Sequence, residues 1–449
     1  MARVVVIGGD AAGATAASGL RRRLPPEHEV VVLERGSWTS YSACGIPYWI
    51  AGEVGSPHDL VARTPEEHRA NGLDLRMGVE ATAIDRGQRV VATTDGDLSY
   101  DRLVIATGAE PIRPDLPGID ADGIYGVQSL DDGQRVFDAL FQDPEHVVVV
   151  GSGYIGLEMA EACVVRGLDT TVVERMGTPM PILEASLGEH VADAMRARGI
   201  ELRTGATVTG FTVTDGRVTG VETSLGPLPA DLVILGLGVT ARSALARDAG
   251  LELGVKDAIV VDERLRAADD VWAAGDVVQS FDRVSGRPVH MALGTHANKQ
   301  GLVVADAIVA DLLGETPRLS FPGVVQTAIT RFCRLEVSRT GLGEQQARDA
   351  GFDPVVATIE TTNVAGYMPD AAPMTVLMIA DRPSRRLLGV QIVGAEDAAL
   401  RIDTAATALA AGMTVDDVVM LDLAYAPPFG SVWSPVQVAA RAVVKQLDR

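Results

Sequence analysis

Two segments of this chain repeat one design, and that repeat limits the fold more than any other feature. Residues 4–7 are a continuous apolar run of the kind buried in a parallel sheet. The turn Gly8-Gly9-Asp10-Ala11-Ala12-Gly13 follows, then a small-residue helix reaching Arg21, Arg22 and Arg23, then a second apolar run, 30–33, ending at Glu34. The same grammar returns with a run at 147–150, the turn Gly151-Ser152-Gly153-Tyr154-Ile155-Gly156, a helix over 157–165 and a run at 170–173 ending at Glu174. Two β-α-β units of one kind in one chain are an internal repeat.

A glycine turn between strand and helix brings backbone N–H groups and the helix N-terminus against a pyrophosphate, where side chains would block the approach. An acid closing the second strand then bonds a ribose hydroxyl. Gly151, Gly153 and Gly156, with Tyr154 and Ile155 opening the helix and Glu174 at the strand end, meet every part of that pattern. In the first unit Gly8, Gly13 and Glu34 hold their places, but Asp10 stands where the middle glycine is expected. Its carboxylate is unfavourable beside a diphosphate unless it points away.

Further strand-like runs end at Ala106-Thr107-Gly108, at Gly238 and at Asp276. The chain changes character near Phe321. Residues 376–380 and 388–393 read as antiparallel strands, and 398–411 and 436–447 as helices. At roughly 150 residues per domain, 449 residues suggest about three domains. The expected division is 1–115 with 245–320, then 116–244, then 321–449.

The net charge of -21 argues against general affinity for nucleic acid or an anionic membrane. Cys44, Cys163 and Cys333 are too scattered for a disulfide scaffold, and no cysteine–histidine cluster suggests a metal. The first apolar run starts almost at once, so no signal peptide is expected, and no run reaches membrane-spanning length. The expected compartment is the cytoplasm.

These motifs resemble the pyridine nucleotide–disulfide oxidoreductase family over essentially the whole chain. The resemblance implies an α/β fold with two Rossmann-like dinucleotide-binding domains in a glutathione reductase-like arrangement, FAD in the first and NAD(P)H in the second. It also implies a C-terminal α+β dimerisation domain, and hence a homodimer. Flavin contacts are implied at Ser40, at Ala106, Thr107 and Gly108, and at Asp276, which would bind the ribityl chain. Gly238 and Ala292 are further cofactor positions, and 293–301 resembles the helix beneath the flavin.

The segment Ser40-Tyr41-Ser42-Ala43-Cys44-Gly45-Ile46-Pro47-Tyr48 holds one cysteine, not a C-x-x-x-x-C pair. It is similar to the single-cysteine branch: coenzyme A-disulfide reductases, coenzyme A persulfide or polysulfide reductases, and NADH oxidases and peroxidases. The last two usually carry a histidine in the first glycine turn, and here Asp10-Ala11-Ala12 has none. Ala424-Tyr425-Ala426-Pro427-Pro428 and Gly366-Tyr367-Met368-Pro369 resemble segments that bring tyrosines to the partner subunit's active site. Met368, Asp370 and Ser434 depart from the usual pattern. Arg21, Arg22 and Arg23 are implied as a grip for coenzyme A phosphates, and as a bare sequence feature they equally fit a solvated helix end.

A lone cysteine must store oxidation as a mixed disulfide, a persulfide or a sulfenate. The helix-like run 46–51 is expected to favour the Cys44 thiolate through its dipole. Tyr425, helped by Tyr367, is the expected acid for a leaving thiolate. Cys163, in an alanine-rich helix, and Cys333, in a strand-like segment, are expected to be inert. Glu174 favours NADH, while Arg175 beside it leaves NADPH open. The competing readings are an NADH oxidase or peroxidase with a Cys44 sulfenate, and a flavin redox sensor or electron-transfer protein.

Overall fold

The computed structural model describes residues 1–142 and 144–449. Both β-α-β repeats form, each in the parallel part of its own sheet, the first sheet carrying one antiparallel edge strand, Arg266–Ala268. In the first, Arg3–Ile7 lies between Glu29–Glu34 and Arg102–Ile105, with Val6 opposite both Val32 and Val104. Val271–Ala273 joins this sheet beside Arg102–Ile105, so a segment far along the chain completes it. In the second, His146–Val150 lies between Asp169–Glu174 and Leu232–Leu235. These strands are valine- and leucine-rich and buried on both faces, which is why they read as unbroken apolar runs.

The two turns are built alike down to individual atoms. Gly8 and Gly151 adopt φ of +107° and +93°, a region that side chains rarely enter. The Gly8 amide donates to Leu33 and the Gly151 amide to Val173, both at 2.8 Å. A Cβ on Gly13 would lie 1.9 Å from the Gly8 carbonyl oxygen, and one on Gly156 would lie 2.0 Å from that of Gly151. Neither helix could then approach its strand. Ala109–Pro111 and Val239–Ala241 pair as a short antiparallel link between the two nucleotide units.

The C-terminal part is a five-stranded antiparallel sheet in the order Ala328–Phe332, Leu335–Gly341, Leu387–Gly394, Pro373–Asp381, Pro354–Thr362. Helices Ile402–Ala410 and Pro435–Leu447 pack on it through buried Ile402, Ala405, Leu409, Val436, Ala440 and Val443. Cys333 lies in the turn between the first two strands, at φ +54°, and not inside a strand. No helix among the described residues is long and apolar enough to cross a membrane.

Candidate active site

Cys44 sits in a single 3-10 turn, Ala43–Gly45, ahead of the short helix Ile46–Ala51. That helix carries its buried Ile46, Trp49 and Ile50 into a core shared with the helices Leu130–Leu140 and Tyr154–Val165. Trp49 stacks on Phe137 with ring centres 4.9 Å apart. The segment before the cysteine is tied the other way. Thr39 donates its hydroxyl to the Gly9 carbonyl at 2.5 Å, and the Tyr41 amide donates to the Asp10 carboxylate at 3.1 Å. The thiol is therefore slung between the first glycine turn and the helix of the second.

The charged groups that bear on Cys44 reflect this position. Glu158, from the helix that opens at the second turn, acts most strongly, followed by Asp276 and Asp10 from the first unit. Cys44 is exposed as a residue, yet protein surrounds its thiol closely enough for burial to be the main influence on it. Burial and these carboxylates push the thiol up from its ordinary value. This corrects the expectation from the helix dipole. The helix begins two residues after Cys44 and is one turn and a half long, while the carboxylates act directly.

Glu158 was missed in the sequence. Its Oε1 accepts the Thr330 hydroxyl at 2.7 Å, and burial pushes its carboxyl up to about 7. A signal existed: Glu158 and Glu161 are the two acids in the otherwise apolar helix Tyr154–Val165. An acid in such a setting has a reason to be there beyond packing. Tyr154, at the head of the same helix, is half-buried, and burial raises its hydroxyl. Ile155 beside it packs against the shared core.

At the first cradle the Glu34 carboxylate accepts the amides of Gly9 at 2.8 Å and Gly36 at 2.7 Å. At the second, Glu174 accepts the Ser152 amide at 3.0 Å, the Ser152 hydroxyl at 2.6 Å and the Met176 amide at 2.8 Å. A Cβ on Gly153 would meet nothing within 4 Å, so this face of the turn is open where a pyrophosphate would approach. The same is true of Gly108, at φ +70°, and of Gly294 at the head of the helix Gly294–Leu313. The Ala106 amide donates to Ile7, Thr107 donates its hydroxyl to Arg242, and the Gly238 carbonyl accepts the Ile112 amide. Ala292 is half-buried just before the long helix.

Asp276 follows the strand Val271–Ala273. Burial raises its carboxyl, and His290 Nε2 lies 2.6 Å from its backbone oxygen. His296, in the first turn of the long helix, has a buried Nδ1 that makes no hydrogen bond of good geometry among the described residues, with the Met291 backbone the polar group nearest to acting on it. Buried acids and an unpartnered ring nitrogen around an open glycine turn fit a bound dinucleotide with polar groups of its own. Asp10 meets the condition set by its position, since its carboxylate is turned to the Tyr41 amide and burial pushes it up to about 6.

The arginine run does not act as a unit. The Arg21 guanidinium donates to the carbonyls of Leu24, Pro25 and His28, closing its own helix end. Arg23 is paired with the buried carboxylate of Asp306 at 2.8 Å. The phosphate grip expected of all three is thus corrected: Arg21 and Arg23 are committed elsewhere, and Arg22, exposed like Arg23, is the one of the three left without such a bond among the described residues. Tyr367 and Tyr425 are brought together. The neighbouring Tyr425 side chain raises the hydroxyl of Tyr367, and the two are 46% (Tyr425) and 74% (Tyr367) exposed. Neither is among the groups that bear on Cys44 of the same chain. Cys163 is fully buried and its thiol is pushed up to about 12, as suits a packing residue.

Comparison with known proteins agrees with this fold. The model of the pyridine nucleotide-disulphide oxidoreductase family matches residues 2–301, and that of its dimerisation domain matches 327–435. The chain is 36% identical to the NAD(P)H coenzyme A polysulfide/persulfide reductase of Pyrococcus horikoshii, over 98% of each chain. It is 31% identical to an NADH oxidase of Methanocaldococcus jannaschii, over 99% of each. Among solved structures, the NAD-dependent persulfide reductase from A. fulgidus superimposes with a TM-score of 0.95 at 34% identity, covering 99% of this chain and 84% of that one.

Proposed function

Because the chain belongs to the pyridine nucleotide-disulphide oxidoreductase family, we propose that it is an FAD-dependent NAD(P)H oxidoreductase that reduces a coenzyme A-type disulfide, persulfide or polysulfide through Cys44. The observation that carries this reading is the position of Cys44, in a segment tied to the first glycine turn through Thr39 and Tyr41 and to the helix of the second through the core around Ile46 and Trp49.

Gly8, Gly13, Glu34, Ser40, Asp276 and the 106–108 turn hold FAD, and Gly151, Gly153, Gly156 and Glu174 hold the nicotinamide nucleotide. Bound FAD supplies the electron carrier between nicotinamide and sulfur. The rest is the chain's own chemistry. Cys44, as thiolate, attacks a disulfide or persulfide sulfur and keeps the sulfur as a mixed disulfide or persulfide. The Glu158 carboxyl, at about 7, can hold or release a proton beside Cys44 near neutral pH. Tyr425 of a homodimer partner, with Tyr367 beside it, protonates the leaving thiolate. Arg22 remains available to coenzyme A phosphates. Three cysteines that form no disulfide framework suit the cytoplasm.

The absence of histidine at Asp10-Ala11-Ala12 favours a sulfur acceptor over the oxidase reading. Mass spectrometry of the unreduced protein tests the assignment. A coenzyme A or sulfur adduct on Cys44 is the expected result. A Cys44 found only as sulfenate or sulfinate after turnover in air would favour the oxidase.

A further inference from the structure

The backbone around Ser40 is held in a conformation it would not choose. Ser40 has φ +48°, in the left-handed region that costs energy for any residue with a side chain. Such strain persists only where the surroundings over-determine it. Here they do so on two edges. On one, the Ser42 amide donates to Leu60 at 2.9 Å and the Ala62 amide donates to Ser40 at 2.7 Å, with Tyr41 bridged to Val61. On the other, the Ser40 amide donates to the Gly9 carbonyl at 3.3 Å and the Tyr41 amide donates to Asp10 Oδ1 at 3.1 Å. The Ser40 hydroxyl adds a 2.8 Å contact to Nε2 of buried His68.

Among these anchors the bond to Asp10 is unlike the rest of the glycine-turn edge. Gly9 offers its carbonyl whatever its side chain, whereas the Tyr41 amide depends on the one residue that departs from the glycine fingerprint. Asp10 is the N-cap residue of the helix Ala11–Arg23, yet its carboxylate makes no capping bond to that helix. Its Oδ1 instead accepts the amide of Tyr41, three residues before Cys44.

We infer that Asp10 is a positioning residue for Cys44: its carboxyl fixes the strained Ser40–Tyr41 backbone to the first glycine turn and so sets where the thiol stands. This rests on reading Cys44 as the redox group. Asp10 also adds negative charge near the thiol, in company with Asp276 and, more strongly, Glu158. The groups that face Asp10 itself are the carboxylates of Glu34 and Asp276 and the side chain of Tyr41. His290 stands beside Asp276.

The test uses the FAD-loaded protein and three variants. Asp10→Asn keeps an oxygen that can accept the Tyr41 amide but removes the charge. Asp10→Gly restores the fingerprint glycine and removes the acceptor, and Asp10→Ala removes the acceptor while keeping a Cβ. Hydrogen exchange of peptides spanning 39–44 and iodoacetamide alkylation of Cys44 against pH are measured on each. The Asn variant is expected to keep wild-type protection and the same limiting alkylation rate at high pH, with its midpoint at lower pH. The Gly and Ala variants are expected to exchange the Tyr41 amide about tenfold faster, as loss of one charge-assisted bond implies, and to change the limiting alkylation rate several-fold. Wild-type protection and limiting rate in the Gly and Ala variants would overturn the inference, as would an Asn variant as loose as they are. Failure of both to fold while Asn folds would make Asp10 a residue of the whole fold and also overturn it. Neither readout needs turnover, so a failed anchor is distinguishable from a failed assignment of Cys44.

Discussion

Thr330 donates its hydroxyl to Glu158 at 2.7 Å, which joins a strand of the C-terminal sheet to the carboxyl that bears most strongly on Cys44. The bond leaves Glu158 in place between two parts of the chain whose sequences are far apart. Its negative charge opposes thiolate formation. Glu158→Gln should therefore move the Cys44 alkylation midpoint to lower pH, with the wild-type rate at the high-pH limit. A midpoint that stays in place would show that the carboxyl does not act on the sulfur.

The same carboxyl has a stability signature. Burial lifts it from its ordinary value of 4.5 to about 7. Between those two values the folded chain holds a proton that the unfolded chain has released, so stability falls as pH rises through that window. Gln carries no such proton. Melting temperatures at pH 5 and pH 8 should shift in favour of Glu158→Gln on going to the higher pH, and a constant difference would contradict the assignment.

Equivalent glycines in the two cradles should fail differently. A methyl at Gly13 or at Gly156 meets a backbone oxygen at 1.9 Å or 2.0 Å. Gly13→Ala should lose the flavin and its yellow colour. Gly156→Ala should stay yellow but reduce its flavin with NADH at least about tenfold more slowly. Absorbance spectra with rapid mixing separate the two outcomes, and a Gly13→Ala protein with full flavin content would refute the first cradle.

Nicotinamide preference follows from Glu174, which is buried and held by Ser152 and Met176 with no room to turn away from a 2′-phosphate. NADH should give the higher kcat/KM. Glu174→Ala should narrow the gap by about tenfold or more, equivalent to about 1.4 kcal/mol of relieved repulsion, because Arg175 remains exposed beside it. An unchanged ratio would place the discrimination elsewhere.

Much of this was legible before any coordinates. The two turns could be read because a pyrophosphate cradle demands small residues at fixed spacing, and buried parallel strands leave unbroken apolar runs. The antiparallel strands around 376–380 and 388–393 showed for the same reason, as Met374 through Ala380 and Leu387 through Val393 are buried throughout. Spacing does not show where a long side chain ends. Arg21 and Arg23 formed one basic run on paper, but a guanidinium can turn back on its own helix or cross to Asp306, and here each does so. Glu158 and Asp10 were hard to read for a related reason: their partners, Thr330 and Tyr41, are set by packing between distant segments. Cys333 looked strand-bound because a tight hairpin turn can carry the same residue types as the strands it joins.

The central claim is that electrons reach substrate sulfur through Cys44, and stopped-flow absorbance on Cys44→Ser measures it most directly. With NADH alone the variant should stay yellow at rest and bleach at the wild-type rate, since both cradles are intact. With coenzyme A disulfide it should not turn over, because serine cannot form the covalent sulfur intermediate. Tyr425→Phe, run in parallel, should bleach normally and slow only thiol release, by about a hundredfold. Full disulfide reduction by Cys44→Ser, or fast oxygen uptake with no response to coenzyme A disulfide in the wild type, would contradict the account.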